Sequence, residues 1–559
     1  AGREAHNRLL AAERLFAGLS LQSGFEDYPQ QTFTEAWKAN CWPDHGWGGN
    51  QGIITDSVYN ASYEKSKKLA DQLLNNAGSR LGKTIQKQPG NGIPLVVFNP
   101  LNWERTDVVH ARLQMPSGWQ GVTLRDEAGR EVPCEISAKQ EGDTATEVVF
   151  VAERVPSLGY RSYAMEPASS AASVTTLSGR RVENQFFKVV FGDGGIKSLY
   201  DKRLTWDALR TEKFDGGEVV QFTAPGVAWE DPEIVTMENF DKTSRHPFPF
   251  KTFTKGPARI TALREAAFKH FLLRENFHLY HALDRVEIDL ALVNWDGQKD
   301  RELRVVFPVN LDDARTSYEV PFGAVEMGKD ELDFTLLPPD SDTAFRPDIY
   351  GGDHPLAYRE AINWVDASAQ RYLGHGCLSA SDMTVHLFRD ETDHPVSYPI
   401  LQHVLLSTRK SLAWNPDYWF TQAGTHRYRM ALLPHKGDWR LRYREAIAFN
   451  YPLFAVVGDQ GAPAHPAGDR AASSFFQLQP SNLVLTALKK SEDDNRLVIR
   501  FYEAEGFETP ASIRFAKPIT HAWKASLIED DGEPMQTLAD GSLQFSVKPW
   551  EIVTLKVAV

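Results

Sequence analysis

Two hydrophobic periods divide this chain. In the first ~85 residues, apolar positions recur at steps of three and four: Ala5, Leu9, Ala12, Phe16 and Leu19 in one run, and Tyr59, Tyr63, Ser66, Ala70, Leu73, Ala77 and Leu81 in another, with Ser66 the polar member. That spacing places each run on one helical face. Between them Thr32 or Thr34 can cap a middle helix that carries Phe33, Ala36 and Trp37. Three helices joined by two loops are therefore expected, packed at the edge of the first β-domain. Past Pro89-Gly90-Asn91-Gly92 the period changes to two. Leu95-Val96-Val97-Phe98 reads as a buried strand, and Val109, Ala111, Leu113 and Met115 then alternate with His110, Arg112 and Gln114. Short β runs separated by Gly, Pro, Asn and Asp continue to Val559, and no long helical pattern returns. So many strands are normally closed or stacked as antiparallel sheets, which hides their edges. Ala168-Ser169-Ser170-Ala171-Ala172-Ser173 offers no apolar face and is the best linker candidate.

The expected fold class is multidomain α+β and mostly β: a three-helix bundle over residues 1–88, a small β-sandwich over 89–170, a large sandwich over 175–448 and a C-terminal β-domain over 449–559. The length of 559 residues agrees, since one core seldom serves more than roughly 250–300.

Composition narrows function mainly by exclusion. The formal net charge of -13 argues against a nucleic-acid partner, which needs a basic face. No apolar run reaches the ~18 residues of a membrane span. Cys41, Cys134 and Cys377 are far apart, in neither metal-ligand spacing nor a disulfide framework. No positively charged, then apolar leader opens the chain, so a cytoplasmic protein and a secreted or periplasmic one with its leader removed both stay open. Asn60-Ala61-Ser62 fits a glycosylation sequon but falls within expected helix.

The richest chemistry lies in the second loop, Trp42-Pro43-Asp44-His45-Gly46-Trp47-Gly48-Gly49-Asn50-Gln51-Gly52. Indoles stack on sugar rings, glycines let backbone approach closely, and a histidine can ligate a metal or move a proton. A tight connection with a satisfied histidine accounts for the same residues. His435, in Pro434-His435-Lys436-Gly437-Asp438-Trp439, is expected to be structural at a strand–turn junction. The polar 351–355 segment is expected to be a plain loop. No Gly-x-Ser-x-Gly elbow, phosphate loop or His-Glu-x-x-His helix is present.

The His45 loop in its helical setting resembles the histidine-bearing segment of the family-38 α-mannosidases. The β half extends this resemblance. The run 182–191 with Asn184, then Gly194-Gly195-Ile196-Lys197-Ser198-Leu199, is similar to the opening of that family's sandwich. Leu432-Leu433-Pro434-His435 with Gly437 and Trp439, the Arg500-Phe501-Tyr502-Glu503 run and the final Pro549-Trp550-Glu551-Ile552 strand are similar to later family elements, in family order. The resemblance implies a galactose-mutarotase-like supersandwich and a retaining hydrolase working by double displacement. It implies Zn²⁺ on sugar hydroxyls, with His45 as candidate metal ligand and Trp42, Asp44 and Trp47 as candidate substrate-binding residues.

The sequence departs from the family in two places. Asp44 precedes His45, whereas the family aspartate follows the histidine. No His-x-Asp pair occurs upstream of His45. The chain is therefore expected to be a C-terminal half whose catalytic barrel and nucleophile lie elsewhere. Alone it should be inactive and should bind zinc weakly or not at all. Two other readings stay open: a non-catalytic carbohydrate-binding or scaffold subunit, and another carbohydrate-active enzyme, a lyase or phosphorylase, with its site on the large sandwich. In each reading the partner is a carbohydrate. The sugar, linkage and oligomeric state are not fixed by the sequence.

Overall fold

The computed structural model describes residues 2–41, 54–84, 92–136, 145–170, 172–227, 235–331, 359–370, 374–382, 385–387, 392–410, 419–458 and 472–558. Three helices come first: α1 (Gly2–Ser23), α2 (Gln30–Asn40) and α3 (Asn60–Thr84), the last preceded by a π-helical turn, Ile54–Tyr59. Both long stripes face inward, and Leu9, Ala12, Phe16, Ala70, Leu73, Ala77 and Leu81 are all buried. Ser66 is fully buried with them.

α1 is enclosed on more than its apolar stripe, because Glu13, Arg14 and Ser20 are buried too. The reason is a second partner. Arg14 donates to the carbonyls of Pro100 at 3.0 Å and Leu485 at 2.9 Å. Gly18 lies so close to Phe475 that an added methyl would stand 2.7 Å from its ring. The helices do meet the first β-domain, through Val96, Phe98, Leu158 and Tyr160. Their core runs on, however, into strands from the far end of the chain, including Leu483, Ile499, Ile513 and Leu555.

The first β-domain pairs Ile93–Asn99 antiparallel with Gly159–Ala168. Strand Phe454–Val457 lies on the other side of Ile93–Asn99, and Ala472–Ser474 pairs with Gly159–Ala168. The expected boundary at residue 449 would assign both of these strands to the last unit, yet their backbones complete the first sheet.

The largest core lies between a ten-stranded sheet and smaller six- and four-stranded sheets, counted among the described residues. Side chains from all three sheets fill it, among them Phe277, Ile288 and Val365, Val305 and Leu401, and Phe187 and Val189. The C-terminal unit is a three-stranded and a five-stranded sheet.

A buried ion cluster joins the first and second β-domains. Asp107 accepts from Arg105 at 3.1 Å and from Arg285 at 2.5 Å, and Arg285 also bonds Glu287. Burial pushes the Asp107 carboxyl up, but Arg285 and Arg105 more than offset it and hold it below the usual range. Helix α4 (Tyr443–Asn450) seals the region, with Phe449 under both Arg285 and Arg429.

Candidate functional site

Trp42, Asp44, His45 and Trp47, the residues singled out from the sequence, lie outside the described residues, as does the 351–355 segment. The two ends that carry the 42–53 segment are described. α2 closes with the Cys41 N–H bonded to the Trp37 carbonyl at 2.8 Å. The Ser62 hydroxyl in α3 donates to the Ala39 carbonyl at 2.8 Å, so the two helices are tied at the segment's base. Trp37 donates its indole N–H to Glu13 at 2.8 Å and meets His6 edge-on at 5.2 Å. Burial pushes the Glu13 carboxyl up to about 7 against the opposing Trp37 bond. His6 is exposed, yet the atoms packed around it, followed by Arg14 and Arg3, hold its pKa below the ordinary imidazole value.

Polar groups from three distant segments converge on the same end of α1. Asn7 donates to the Asn450 carbonyl at 3.0 Å. Asn450 donates to the Asn363 side chain at 2.9 Å and to the Ser381 carbonyl at 2.8 Å. The Asn363 N–H donates to Glu319 at 2.9 Å, and Arg3 reaches the Asn363 side chain at 3.5 Å. Glu319 is buried, and desolvation lifts it to about 7. Beside it Asp382 is exposed and accepts the Arg429 backbone N–H at 3.1 Å. Desolvation by surrounding protein also raises Asp382.

Farther along, Arg429 faces Asp289 at 3.7 Å and Glu287 at 3.9 Å. Burial works against the charge on Asp289, but the bond from His278 and the nearby Arg429 hold its pKa below the usual range. At this surface the half-exposed Arg429 guanidinium stands beside the half-exposed Asp289 carboxylate, whereas the Asn363, Asn450 and His278 side chains are buried. A donor beside an acceptor suits a ligand rich in hydroxyls, which both donates and accepts.

Among the described residues no group of three or more His, Cys, Asp or Glu could hold a metal ion. A catalytic zinc takes about three protein ligands, so no zinc-dependent step is derived from these residues. Two histidine clusters are internal: the one around His403 escaped sequence reasoning, while His435 is expected from the sequence to be structural. Ser379 and His403 bond at 2.8 Å, and His403 meets His386 at 2.6 Å. This looks like a nucleophile–base pair, but all three residues are fully buried, and burial followed by His386 keeps His403 well below its ordinary pKa. His435 is buried and bonds Asp366 at 2.7 Å, within the ten-stranded sheet. Gly376 makes room for its ring, since a methyl there would stand 2.4 Å away. An open polar cavity elsewhere is lined by Lys197, Asp207, Arg210, Glu212, Asn310 and Asp312. Its Arg210 is already paired with Asp312 at 2.7 Å and Glu212 at 3.3 Å.

Comparison with known proteins agrees with this architecture. Residues 182–335 match the glycosyl hydrolases family 38 C-terminal domain, and residues 482–555 match that family's C-terminal beta sandwich domain. Alpha-mannosidase 2C1 of Homo sapiens is 26% identical over 271 residues, 47% of this chain and 22% of that protein. Alpha-mannosidase G of Dictyostelium discoideum is 23% identical over 414 residues, 71% of this chain and 34% of that protein. The matches thus span a fifth to a third of these curated relatives. The crystal structure of an alpha-mannosidase from Enterococcus faecalis V583 shares the fold, with a TM-score of 0.74 at 14% identity, over 99% of this chain and 66% of that one. Two stretches of the chain thus match the C-terminal domains of glycosyl hydrolase family 38, and the fold over the whole chain is like that of a solved alpha-mannosidase.

Proposed function

We propose that this chain is the C-terminal portion of a retaining α-mannosidase and forms one wall of its sugar cleft. The observation that carries the reading is the meeting of two features at one end of α1. The base of the 42–53 segment, where Ser62 is tied to Ala39, packs on α1 through Trp37 and His6, and one turn away Arg3 reaches the Asn363 side chain at 3.5 Å. In this reading Trp42 and Trp47 supply stacking faces, Asp44 accepts a hydroxyl, and His45 is one zinc ligand. Zinc would act as a Lewis acid at sugar hydroxyls. Retaining hydrolysis needs two carboxyl groups about 5–5.5 Å apart across the scissile bond, and the nucleophile is assigned to a barrel outside these residues.

The test compares the 559-residue chain with the protein encoded by the full reading frame, using 4-nitrophenyl α-mannoside. The full protein should turn over substrate, lose activity with chelator, and lose most of it again in His45→Ala. The shorter chain should show no turnover and no tight zinc. Robust hydrolysis by that chain alone, insensitive to chelator and to His45→Ala, would refute the reading. Mannoside binding without hydrolysis by the full protein would favour a non-catalytic carbohydrate-binding role.

A further inference from the structure

Three aromatic rings stand in solvent where the large sandwich meets the C-terminal unit. Phe322 is 39% exposed, Trp550 40% and Phe507 57%. They come from three separate turns: between Ala314–Val320 and Gly323–Glu326, between Leu543–Val547 and Ile552–Ala558, and between Leu497–Glu503 and Thr509–Phe515. The turns touch. The Trp550 indole lies against two glycines, since an added methyl would stand 2.8 Å from it at Gly506 and 3.5 Å from it at Gly323. Phe322 meets Tyr502 edge-on at 5.6 Å, and the Arg440 guanidinium sits 5.7 Å from the Phe507 ring.

Two features separate this cluster from ordinary scattered surface hydrophobics. The first is backbone strain. Phe322 has φ of +63° and Trp550 of +60°, a region that bulky L-residues avoid. Strained backbone that holds a side chain out in water, rather than hiding it, is a mark of binding sites. The second is a shared fastening. Glu503 is fully buried and accepts backbone N–H groups from Glu505 at 2.8 Å, Gly506 at 2.7 Å, Phe507 at 3.1 Å and Trp550 at 3.2 Å. One carboxylate thus fixes the turns bearing both Phe507 and Trp550, so the rings are held in place before any ligand arrives. Preorganisation of this kind lowers the ordering cost of binding.

The rim is polar. Arg440 donates to the Glu505 carbonyl at 3.2 Å, and the Glu505 carboxyl accepts from the Tyr443 hydroxyl at 3.1 Å. We propose that this platform is a saccharide-binding surface for a chain of neutral hexoses, with Trp550 and Phe507 stacking on the apolar sugar faces and Arg440 and Glu505 meeting hydroxyls. Aromatic faces beside mixed donors and acceptors match a pyranose, which has apolar faces and a hydroxylated edge. A second copy of the chain fits less well: three partly exposed rings offer far less than the about 800 Å² per partner of a stable interface. The proposal does not depend on the role of the 42–53 segment.

The experiment uses the whole 559-residue chain, as wild type, Trp550→Ala and Phe507→Ala. Native electrophoresis through gels containing yeast mannan, galactomannan or xylan measures retardation, and mannohexaose titration measures tryptophan emission. Wild type should be retarded by at least one hexose polymer and should respond to mannohexaose. Each variant should weaken the apparent affinity about tenfold, as loss of one aromatic partner does. Phe507 is the more exposed ring, so Phe507→Ala should unfold at the wild-type temperature and keep the test valid if Trp550→Ala is unstable. Absence of retardation of wild type by both hexose polymers, whether or not xylan retards it, or undiminished retardation of the folded variants, overturns the proposal. A dimer of the wild type that both variants dissolve, without polysaccharide binding, overturns it in favour of a second copy.

Discussion

Glu503→Gln should unfasten two turns at once. Oε1 accepts from the Glu505 N–H and, at 2.8 Å, from the Asn482 side-chain amide; Oε2 accepts from the N–H groups of Gly506, Phe507 and Trp550. Glutamine keeps the shape but replaces one of these oxygens with an NH2 group. Turned one way, that group faces two donors; turned the other way, it faces three. In the cheaper orientation two half-buried donors, the Glu505 N–H and the Asn482 amide, lose this acceptor, at about 1–3 kcal/mol each. The remaining bonds also lose their charge-assisted strength. A loss of about 3–5 kcal/mol follows, concentrated in the C-terminal unit. At roughly 4 °C per kcal/mol for a domain of this size, its transition should fall by about 12–20 °C in calorimetry. The rest of the molecule should unfold later than this unit. A Glu503→Gln transition within about 2 °C of wild type would refute the reasoning.

Glu319 is buried, and desolvation lifts it to about 7 in the folded chain, above the ordinary carboxyl value. The folded state therefore holds its proton more tightly than the unfolded one, so its contribution is complete below about pH 4.5 and is lost as pH rises through 7, on the order of 3 kcal/mol. Urea midpoints measured from pH 5 to 8 should fall with pH in wild type and fall less in Glu319→Gln; equal slopes would refute the assignment. Asp107→Asn should cost about 3 kcal/mol or more, because it leaves buried Arg105 and Arg285 short of a counter-charge. Thermal unfolding checks this, and an unchanged midpoint would show the cluster to be dispensable.

The helices were legible because a stripe at helical spacing survives any tertiary context that buries one face. The enclosure of α1 was not, because Glu13 and Arg14 read as an exposed polar face until Leu485 and Phe475 are seen beside them. Strands were legible as apolar runs, but their partners were not. The match of Leu95 with Val457 spans most of the chain, and local pattern holds no information on it. The site divides in the same way. The indoles and histidine of the 42–53 segment stood out by composition. The Asn363, Asn450 and Glu319 group did not, since three unremarkable polar residues from separate segments become a buried hydrogen-bonded network only once folding joins them. Glu503 was read as part of a strand match, and nothing in Arg500-Phe501-Tyr502-Glu503 announces a carboxylate that anchors two turns.

The core that α1 and α3 share with the C-terminal strands has a consequence for synthesis. Leu9, Phe16, Leu73 and Leu81 leave the ribosome long before Phe475, Leu485 and Leu555, the side chains that cover them. At about 5–20 residues per second, the roughly 390 residues between Leu81 and Phe475 take on the order of 20–80 s to make. For that interval the nascent helices present an apolar surface with only part of its native cover, from Val96, Phe98, Leu158 and Tyr160, while the large sandwich can already close around its own core. Holding factors that bind exposed hydrophobic segments should therefore engage this protein at its N-terminal helices, and they should let go when the C-terminal unit emerges. Premature termination anywhere after the large sandwich would strand that surface permanently, so shortened products should be cleared by proteolysis and not persist as half-active fragments.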